Sequence, residues 1–206
     1  MSDFDAKAST WDSDPAKVDR ARKVAEAIGR AVPDLGIRSV LDYGAGTGLL
    51  GLELGPKAAR VTLADTSEGM LAVAREKIAR SGACNVQTLR LDLAVDPAPP
   101  ARFDLVCTLM TMHHVADVDG ILKAFHAVLS PGGVLCVSDL DAEDGSFHGP
   151  GFEGHRGFDR PELGRKIREA GFGPVTFTTP CEVRKEVGGV PRAFPVFLAV
   201  AVMIDA

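Results

Sequence analysis

The stretch VLDYGAGTGLLG, residues 40–51, brings four glycines together directly after an apolar run. A strand that ends in glycines and continues into a helix places backbone N–H groups and a helix N-terminus against a ligand. Glycine permits positive φ and removes the Cβ that would collide with that ligand. The alternative is a tight turn that binds nothing, because a G-x-G pattern by itself is weak support for a ligand site.

Two aspartates follow the next two apolar runs. Asp65 ends RVTLAD (60–65), about 20 residues after the glycines, where a carboxylate can accept both hydroxyls of a ribose. Asp92 ends NVQTLRLD (85–92), where it can accept from the amino group of an adenine. Three successive runs therefore supply groups that bind a nucleoside.

Two cofactors fit a nucleoside site of this kind. A dinucleotide fits because GTGLLG (46–51) matches G-x-G-x-x-G and Asp65 follows it. S-adenosylmethionine fits better, because Asp42 precedes the first glycine and a carboxylate suits a cationic sulfonium better than a pyrophosphate. The spacing from the strand end is also D-x-G-x-G-x-G, so the dinucleotide pattern begins too late. The sequence predicts S-adenosylmethionine, with a nicotinamide cofactor as the alternative.

Three histidines are the candidate catalytic residues. His113 and His114 follow FDLVCTLM (103–110), and His148 lies in the glycine-rich segment 141–157. Histidine titrates near neutrality and can act as a general base or orient a substrate. The alternative for each of them is a place in the pocket wall.

Three further residues are candidates for contact with substrate or for a lid over the site. Asp139 ends an apolar run, His155 lies in the glycine-rich segment, and Trp11 is the only tryptophan. The spacing of the histidines and acids matches no metal-binding motif, so the sequence predicts no metal site.

Apolar strands alternate with amphipathic helices along the chain, and this predicts an α/β fold with a doubly wound, mostly parallel sheet. The predicted strands are 37–43, 60–65, 85–92, 103–110, 134–140, 174–179 and 194–204. The predicted helices are 13–32, 47–55, 66–82, 117–129 and 159–170. The last two strands have no helix between them and predict an antiparallel hairpin. SPGG (130–133) predicts a turn.

The elements place the candidate residues at one edge of this sheet. In open parallel sheets ligands bind outside the carboxyl ends of the strands, and the candidates follow those ends. Ser13 or Asp14 is the predicted N-cap of the first helix, and Thr66 or Ser67 that of the third.

Between residues 40 and 139 the chain reads, in order, VLDYGAGTGLL, VTLADTSEGML, LRLDLA, FDLVCTLMTMHHV and LSPGGVLCVSDLD. Together these stretches resemble the successive motifs of the class I S-adenosylmethionine-dependent methyltransferases. Within that superfamily they are most similar to the small-molecule branch that includes the ubiquinone and menaquinone C-methyltransferases. The resemblance is specific for the cofactor and says little about the substrate.

The resemblance implies a seven-stranded sheet of order 3-2-1-4-5-7-6 with strand 7 antiparallel. It also implies a role for each matching position in cofactor binding. Gly44, Gly46 and Gly48 would lie beneath the methionine and ribose parts. Asp65 would hold the ribose hydroxyls. The other implied contacts are Thr66 near the adenine, Asp92 and the Leu93 backbone on its edge, and Leu109 and Met110 around the methionine end.

Length and composition are those of one soluble domain. The chain has 206 residues, 46% hydrophobic residues and a net charge of −5 without a basic block, which argues against a nucleic-acid partner. It shows no apolar segment that could span a membrane and no signal sequence, and its four scattered cysteines suggest reduced thiols. A cytoplasmic protein is expected, with a homodimer as the candidate oligomer because dimers are common on this fold.

The predicted organisation is a single methyltransferase domain, 1–206. It comprises an N-terminal helical lid segment (1–32), a cofactor-binding core (33–140) and a substrate loop with a C-terminal hairpin (141–206).

The predicted function is transfer of a methyl group to a small-molecule acceptor by in-line displacement. The residues after the fourth strand read TMHH rather than an Asn-Pro-Pro-type signature, which argues against amide or base nitrogens as acceptors. The alternatives are a non-catalytic S-adenosylmethionine-binding module and a nicotinamide-dependent oxidoreductase.

Overall fold

The computed structural model of the chain describes residues 3–34 and 38–204. Ile37, with which the first predicted strand begins, lies outside them. The strands are β1 (Ser39–Tyr43), β2 (Arg60–Asp65), β3 (Val86–Arg90), β4 (Phe103–Leu109), β5 (Leu129–Leu140), β6 (Thr176–Val187) and β7 (Val190–Val202). The α-helices are α1 (Asp3–Lys7), α2 (Pro15–Ala31), α3 (Leu49–Leu54), α4 (Glu68–Ser81), α5 (Val118–Val128) and α6 (Arg160–Glu169).

The seven strands form one sheet in the order β3-β2-β1-β4-β5-β7-β6. The first five strands pair in parallel, and β7 runs antiparallel to both β5 and β6. The predicted α/β fold, its strand order and its antiparallel strand 7 are therefore confirmed.

Helices cover both faces of this sheet. Consecutive residues of a strand point to opposite faces, so each strand contributes side chains to both helix layers. Val40 packs with α2, α3 and α4 in one apolar cluster, and its neighbour Leu41 packs with α5 and α6 in another. Cys107 and Cys136 lie in the first of these clusters, and both are free thiols. The strands thus have apolar residues on both faces, as a sheet buried on both sides requires.

The helix ends are set by side-chain caps. Asp14, Ser67, Asp117 and Asp159 are N-caps whose side chains accept a backbone N–H of the first turn. Helix α4 ends at Gly82, which has a φ of +67°. These caps confirm the predicted Asp14 and Ser67 positions and decide between the two candidates at each start.

The turn predicted at 130–133 is wrong, because these residues belong to β5. Phe103 pairs with Leu129 and Leu105 pairs with Val134, so the residues between them bulge out of the ladder. Gly132 has a φ of +71°, which bends the chain within the strand.

The C-terminal hairpin is longer than predicted. Gly188 and Gly189, with φ of +58° and +81°, connect β6 to β7, and Val187 pairs with Val190. Two residues with positive φ form the tight turn whose twist matches that of a hairpin. The strands therefore extend to this turn, and the final apolar run is the inner strand β7.

Among residues 3–34 and 38–204, no helix is both long enough and apolar enough to cross a bilayer.

Candidate active site

The glycine loop after β1 is shaped by its contacts with neighbouring elements. Gly44 has a φ of +69°, and a Cβ there would lie 2.2 Å from Cγ2 of Thr111. Gly48 has a φ of +80°, and a Cβ there would lie 2.7 Å from Cδ1 of Leu63. Both glycines are therefore required by packing and by backbone conformation.

Gly46 differs from these two glycines because it faces open space. It has a φ of +55°, and the nearest atom to an added Cβ would be Sδ of Met70 at 3.9 Å. A side chain here would project into a cradle of open space that no atom of the described residues fills. The loop thus has the close approach that a ligand such as S-adenosylmethionine needs.

Asp65 ties the glycine loop to the loop after β2. Its Oδ2 accepts from the Gly46 N–H at 2.7 Å, and its Oδ1 accepts from the Ser67 N–H at 2.8 Å. Each carboxylate oxygen has a second lone pair, so the group can still accept from a ribose hydroxyl. Thr66, assigned to the adenine by resemblance, is exposed beside it.

Tyr43 organises the loop after β3. Its hydroxyl accepts from the Leu93 N–H at 3.2 Å and lies 3.5 Å from Oδ1 of Asp92. Burial raises the pKa of Tyr43 to about 12, so the hydroxyl keeps its proton. Asp92 and Leu93, which the resemblance assigns to the edge of the adenine, lie together beside Tyr43. The Leu93 N–H is bonded to the Tyr43 hydroxyl.

Asp42 lies inside the fold and not on an open surface. Its side chain is 1% exposed, and its Oδ2 accepts from the Gly51 N–H at 2.9 Å. Burial raises the pKa of this carboxyl to about 7. Asp42 therefore fixes helix α3 against β1, and any effect on a cationic cofactor acts through its field and not through contact.

The chain after β4 is strained. Met110 has a φ of +55° and is the non-glycine residue with positive φ among residues 3–34 and 38–204. Its N–H donates to the carbonyl of Ser138 at 2.8 Å, which holds it beside the end of β5. The hydroxyl of Thr111 lies 3.2 Å from the carbonyls of Gly44 and Leu109. Strain of this kind occurs at sites where the backbone must take a special course.

His113 forms a buried pair with Asp139. Its Nδ1 lies 2.7 Å from Oδ1 of Asp139, and its backbone N–H donates to Oδ2 of the same carboxylate at 3.1 Å. The two side chains are 2% and 0% exposed. Because the carboxylate only accepts, we assign the proton to Nδ1, which leaves Nε2 as the basic nitrogen. No residue in the described part of the chain bonds to Nε2.

An aromatic cluster surrounds His113. The rings of His114 and His148 lie 4.2 Å and 4.9 Å from it, and His148 stacks on Phe152 at 3.8 Å. Burial is the main cause that lowers the pKa of both His114 and His148 to about 4, so both rings are neutral at neutral pH. The described ranges contain no group of three or more His, Cys, Asp or Glu side chains that could hold a metal ion.

The glycine-rich segment after β5 is clamped to the residues after β4. The His155 N–H donates to the carbonyl of His113 at 2.8 Å, and its Nε2 lies 2.9 Å from the carbonyl of Val115. A Cβ on Gly154 would lie 2.3 Å from the His113 carbonyl. His155 therefore positions the segment that carries His148 and Phe152.

The N-terminal segment, residues 3–13, lies against the loops after β1 and β2. Asp5 accepts from the Ser67 hydroxyl at 2.5 Å and from the Gly69 N–H at 3.0 Å. Asp12 accepts from the Thr47 hydroxyl at 2.5 Å and from Nζ of Lys77 at 2.7 Å. Two carboxylates thus fasten the segment beside the glycine loop.

Aromatic side chains continue this segment toward the histidines. Phe4 contacts Trp11, with ring centroids 6.0 Å apart, and His114, with centroids 5.4 Å apart. Nζ of Lys17 lies 3.7 Å above the Trp11 ring. Trp11 therefore anchors the segment, while Phe4 reaches the site itself.

Several functional residues were not found from the sequence. Tyr43 and Thr111 lie within stretches that resemble the family, but at positions to which the resemblance gives no role, and Phe152 is an isolated aromatic residue among glycines. Asp5 and Asp12 bond to residues that are far away along the chain. An aspartate near a helical turn is a common pattern, so the sequence alone could not show which distant residues these two carboxylates contact.

Comparison with known proteins gives a consistent family. A family model described as a methyltransferase domain matches residues 40–133. A ubiquinone biosynthesis O-methyltransferase of Idiomarina loihiensis is 37% identical over 105 residues, covering 50% of this chain and 43% of that protein. The protein of the same name in Pseudomonas aeruginosa is 31% identical over 150 residues, covering 66% of this chain and 64% of that protein. The chain thus matches less than two thirds of the length of either relative.

The fold is shared with solved structures as well. A structure of an S-adenosylmethionine-dependent methyltransferase from Aquifex aeolicus superposes with a TM-score of 0.67, covering 93% of this chain and 99% of that one at 22% identity. At this identity the match shows the fold alone. The matched domain, the relatives and the sheet order agree with the resemblance to the class I S-adenosylmethionine-dependent methyltransferase superfamily, and residues 40–133 are a methyltransferase domain.

Proposed function

We propose that this chain transfers a methyl group from S-adenosylmethionine to an O–H or N–H group of a small-molecule acceptor. The observation that carries the proposal is the buried His113–Asp139 pair, which leaves a basic nitrogen at the end of β4. Thr111, two residues before it, packs against Gly44 of the glycine loop. The candidate base and the candidate cofactor loop are therefore adjacent.

The residues of the loops after β1, β2 and β3 fit the cofactor. Gly46 leaves a cradle that a side chain would fill, and Asp65 has free lone pairs for the ribose. Asp92 and Leu93, held by Tyr43, would receive the adenine. When bound, S-adenosylmethionine supplies an electrophilic methyl carbon attached to a sulfonium.

His113 takes the proton that the acceptor must lose. Nε2 accepts the proton from the acceptor O–H or N–H, and Asp139 stabilises the resulting imidazolium while holding the ring in place. His114 and His148 are neutral and flank the base, so they orient the acceptor by hydrogen bonds and do not compete for its proton.

The size of the acceptor is limited by the elements around the histidines. Phe4 of the N-terminal segment and Phe152 of the segment after β5 lie 5.4 Å and 5.5 Å from the His114 ring. Two segments of the chain therefore flank the histidines with aromatic rings, which favours a small molecule with an apolar or aromatic body over a protein or a nucleic acid.

The first test is a calorimetric titration with S-adenosylhomocysteine, with NAD as the parallel control. We expect binding of S-adenosylhomocysteine, and loss of that binding in Asp65→Ala. Preference for NAD would refute the proposal.

The second test measures transfer from labelled S-adenosylmethionine to the low-mass fraction of a cell extract. His113→Asn keeps a donor for Asp139 and removes the basic nitrogen, so we expect turnover to fall by about 10²–10⁴-fold with unchanged S-adenosylhomocysteine affinity. His126→Gln, a histidine change on α5, is the matched control. Tight cofactor binding without transfer to any low-mass fraction would instead identify a non-catalytic binding module.

A further inference from the structure

The C-terminal hairpin reaches beyond strand β5. Strand β5 pairs with β7 as far as Leu140, which lies opposite Val196. Strands β6 and β7 continue past this point as a pair, up to Val187 and Val190. We call residues 183–194 the outer ribbon. Because a two-stranded ribbon has little stability by itself, it needs another part of the chain to pack against.

The outer ribbon packs on the segment after β5. Phe147, in that segment, is 8% exposed, and its ring lies edge-on to Phe194 of β7 with the centroids 5.2 Å apart. Leu140 and Val196 complete this small apolar cluster, which is distinct from the two clusters under the helices. An aromatic side chain of the segment is thus buried by the ribbon.

Two cations of the outer ribbon bind the same segment. On β7, Nη1 of Arg192 lies 2.8 Å from Oδ2 of Asp144 and 2.6 Å from Oγ of Ser146. On β6, Nζ of Lys185 donates to the carbonyl of Phe147 and lies 4.5 Å from the centre of its ring. One exposed contact of this kind contributes little. Here, however, both strands of the ribbon and the buried ring hold the same four residues.

The residue after this held stretch is His148, one of the three histidines of the site. Its ring lies 4.7 Å from the ring of Phe147 and 4.9 Å from that of His113, and it stacks on Phe152 at 3.8 Å. His148 is exposed, so its ring is open to an acceptor while it lies beside the candidate base. Contacts thus run from the ribbon through Phe147 to His148 and His113.

The chain on the other side of His148 has less support. Gly149 and Gly151 have φ of +83° and +85°, and a Cβ on either would meet no atom within 4 Å. Neither glycine is held by packing, and glycine itself restricts the backbone least. Beyond them the segment is held at His155, whose N–H donates to the carbonyl of His113 at 2.8 Å. The position of His148 therefore depends on the residues before it, which the ribbon holds.

We propose that Arg192 and Lys185 are positioning residues, which hold His148 beside the base and thereby set the affinity of the site for its acceptor. This inference rests on the proposed function, in which His148 orients the acceptor by a hydrogen bond. Both cations act through residues 144–147, and neither contacts the reacting atoms. A ring that is already in place binds the acceptor without the loss of conformational entropy that a mobile ring would incur. The outer ribbon is thus a specificity element of the site.

A set of variants on the ribbon isolates this role. Arg192→Gln/Lys185→Gln removes both cations, whereas Arg192→Lys/Lys185→Arg keeps both charges and is the rescue variant. Arg184→Gln is the matched control, because Arg184 is next to Lys185 on β6, points to the opposite face of the ribbon and pairs with Glu182. Arg192→Gln is measured alone as well, since Arg192 is 40% exposed and its loss leaves the fold intact.

Proton NMR of the histidine rings reports the position of His148 without any acceptor. A ring stacked on Phe152 at 3.8 Å is shifted upfield by the aromatic ring current, and the signal that disappears in His148→Phe identifies it. We expect the double glutamine variant to lose this upfield shift and Arg192→Gln to lose part of it. The rescue variant and the Arg184→Gln control should retain it.

Transfer assays show whether the position of His148 matters to the acceptor. Rates are measured with labelled S-adenosylmethionine against increasing amounts of the low-mass fraction of a cell extract. In the double glutamine variant, we expect the amount that gives half the maximum rate to rise by about 3–10-fold, which corresponds to one ordinary hydrogen bond. The maximum rate and the affinity for S-adenosylhomocysteine should stay within about twofold, because uniform binding of the acceptor is what the variant loses. The rescue variant should restore the original half-saturating amount.

The outcomes separate this inference from the function on which it rests. Absence of transfer by the original protein refutes the proposed function, and the inference falls with it. Transfer by the original protein overturns the positioning role alone if the double glutamine variant keeps its upfield shift or its half-saturating amount. A lower maximum rate, a weaker affinity for S-adenosylhomocysteine or an equal change in Arg184→Gln would make these contacts structural and also overturn the role.

Discussion

Single residues in the glycine loop have different reasons for lacking a side chain. Gly44 and Gly48 lie against protein atoms, whereas Gly46 lies against empty space. The sequence predicts that all three are glycines of a cofactor loop, but it cannot distinguish packing from ligand approach. That distinction depends on Thr111, in the loop after β4, and on Leu63, on β2, which both reach the glycine loop from distant parts of the chain.

A pair of glycine substitutions separates backbone strain from ligand approach. Gly46→Ala and Gly82→Ala both place a Cβ at positive φ, with little or nothing near it, so each should cost about 1–2 kcal/mol of stability. Only Gly46→Ala should weaken S-adenosylhomocysteine binding, by at least about tenfold. Urea unfolding and calorimetry measure the two effects. Equal affinity in both variants would contradict the cradle at Gly46.

The histidine pair shows where residue-level prediction ends. The sequence indicates His113 as a candidate base and Asp139 as a substrate or lid residue. It cannot show that they bond to each other, because the contact joins the ends of two strands 26 residues apart. Chemical type is visible along the chain, whereas a buried pairing depends on the register of β4 and β5.

At the scale of elements, the existence and order of the strands follow from the sequence, but several of their ends do not. The apolar runs predict the parallel strands because burial on both faces leaves few polar positions. The predicted strands of the hairpin are shorter than the observed ones, because the outer half of the hairpin is exposed and alternates polar and apolar residues. Gly188 and Gly189 carried the missing signal, since a Gly-Gly pair between two valines favours a two-residue turn.

The N-terminal segment gives a prediction about an element. Asp12→Ala removes the bonds to Thr47 and Lys77, the second of which is 19% exposed. Because these bonds hold the segment beside the glycine loop, we expect weaker S-adenosylhomocysteine binding by about 5–30-fold, with the fold intact. Calorimetry gives the affinity, and Asp34→Ala, at an exposed acid paired with Arg38, is the control. Unchanged or tighter binding in Asp12→Ala would show that the segment is not a lid.

At the scale of the whole molecule, the cofactor half is far more predictable than the acceptor half. The stretches that resemble the family lie between residues 40 and 139. The acceptor side, as proposed above, comprises residues 3–13 and the segment after β5. These elements carry no shared motif, because each acceptor demands its own side chains, whereas every member of the family binds the same cofactor.

Protonation of the histidine cluster couples the site to overall stability. In the folded protein the pKa of His148 is lowered from 6.5 to about 4, mainly by burial. Between these values the unfolded chain binds a proton that the folded chain does not, so the contribution of His148 to unfolding free energy falls as pH falls from about 6.5 to about 4. His114 acts in the same direction. Asp42 acts in the opposite direction over the whole of this range, because burial raises its pKa from 3.8 to about 7.

A variant comparison isolates the histidine contribution from that of Asp42. His148→Phe keeps an aromatic ring against Phe152 and cannot take a proton. We expect the stability of His148→Phe relative to the original protein to be greater at pH 5 than at pH 7. Because His148 is exposed, solvent screens the effect, which should be a small fraction of what the pKa difference implies. Urea unfolding at the two pH values measures it, and a stability difference independent of pH would contradict it.

The position of Trp11 has an optical consequence. It is the only tryptophan of the chain, and it lies in the N-terminal segment with Lys17 above its ring and Phe4 at its edge. The only tyrosine, Tyr43, is buried in the sheet. Tryptophan emission therefore comes from one indole on the segment that lies beside the glycine loop. Rapid-mixing fluorescence in the unlabelled protein can test whether that segment moves when S-adenosylhomocysteine binds, separately from any chemical step.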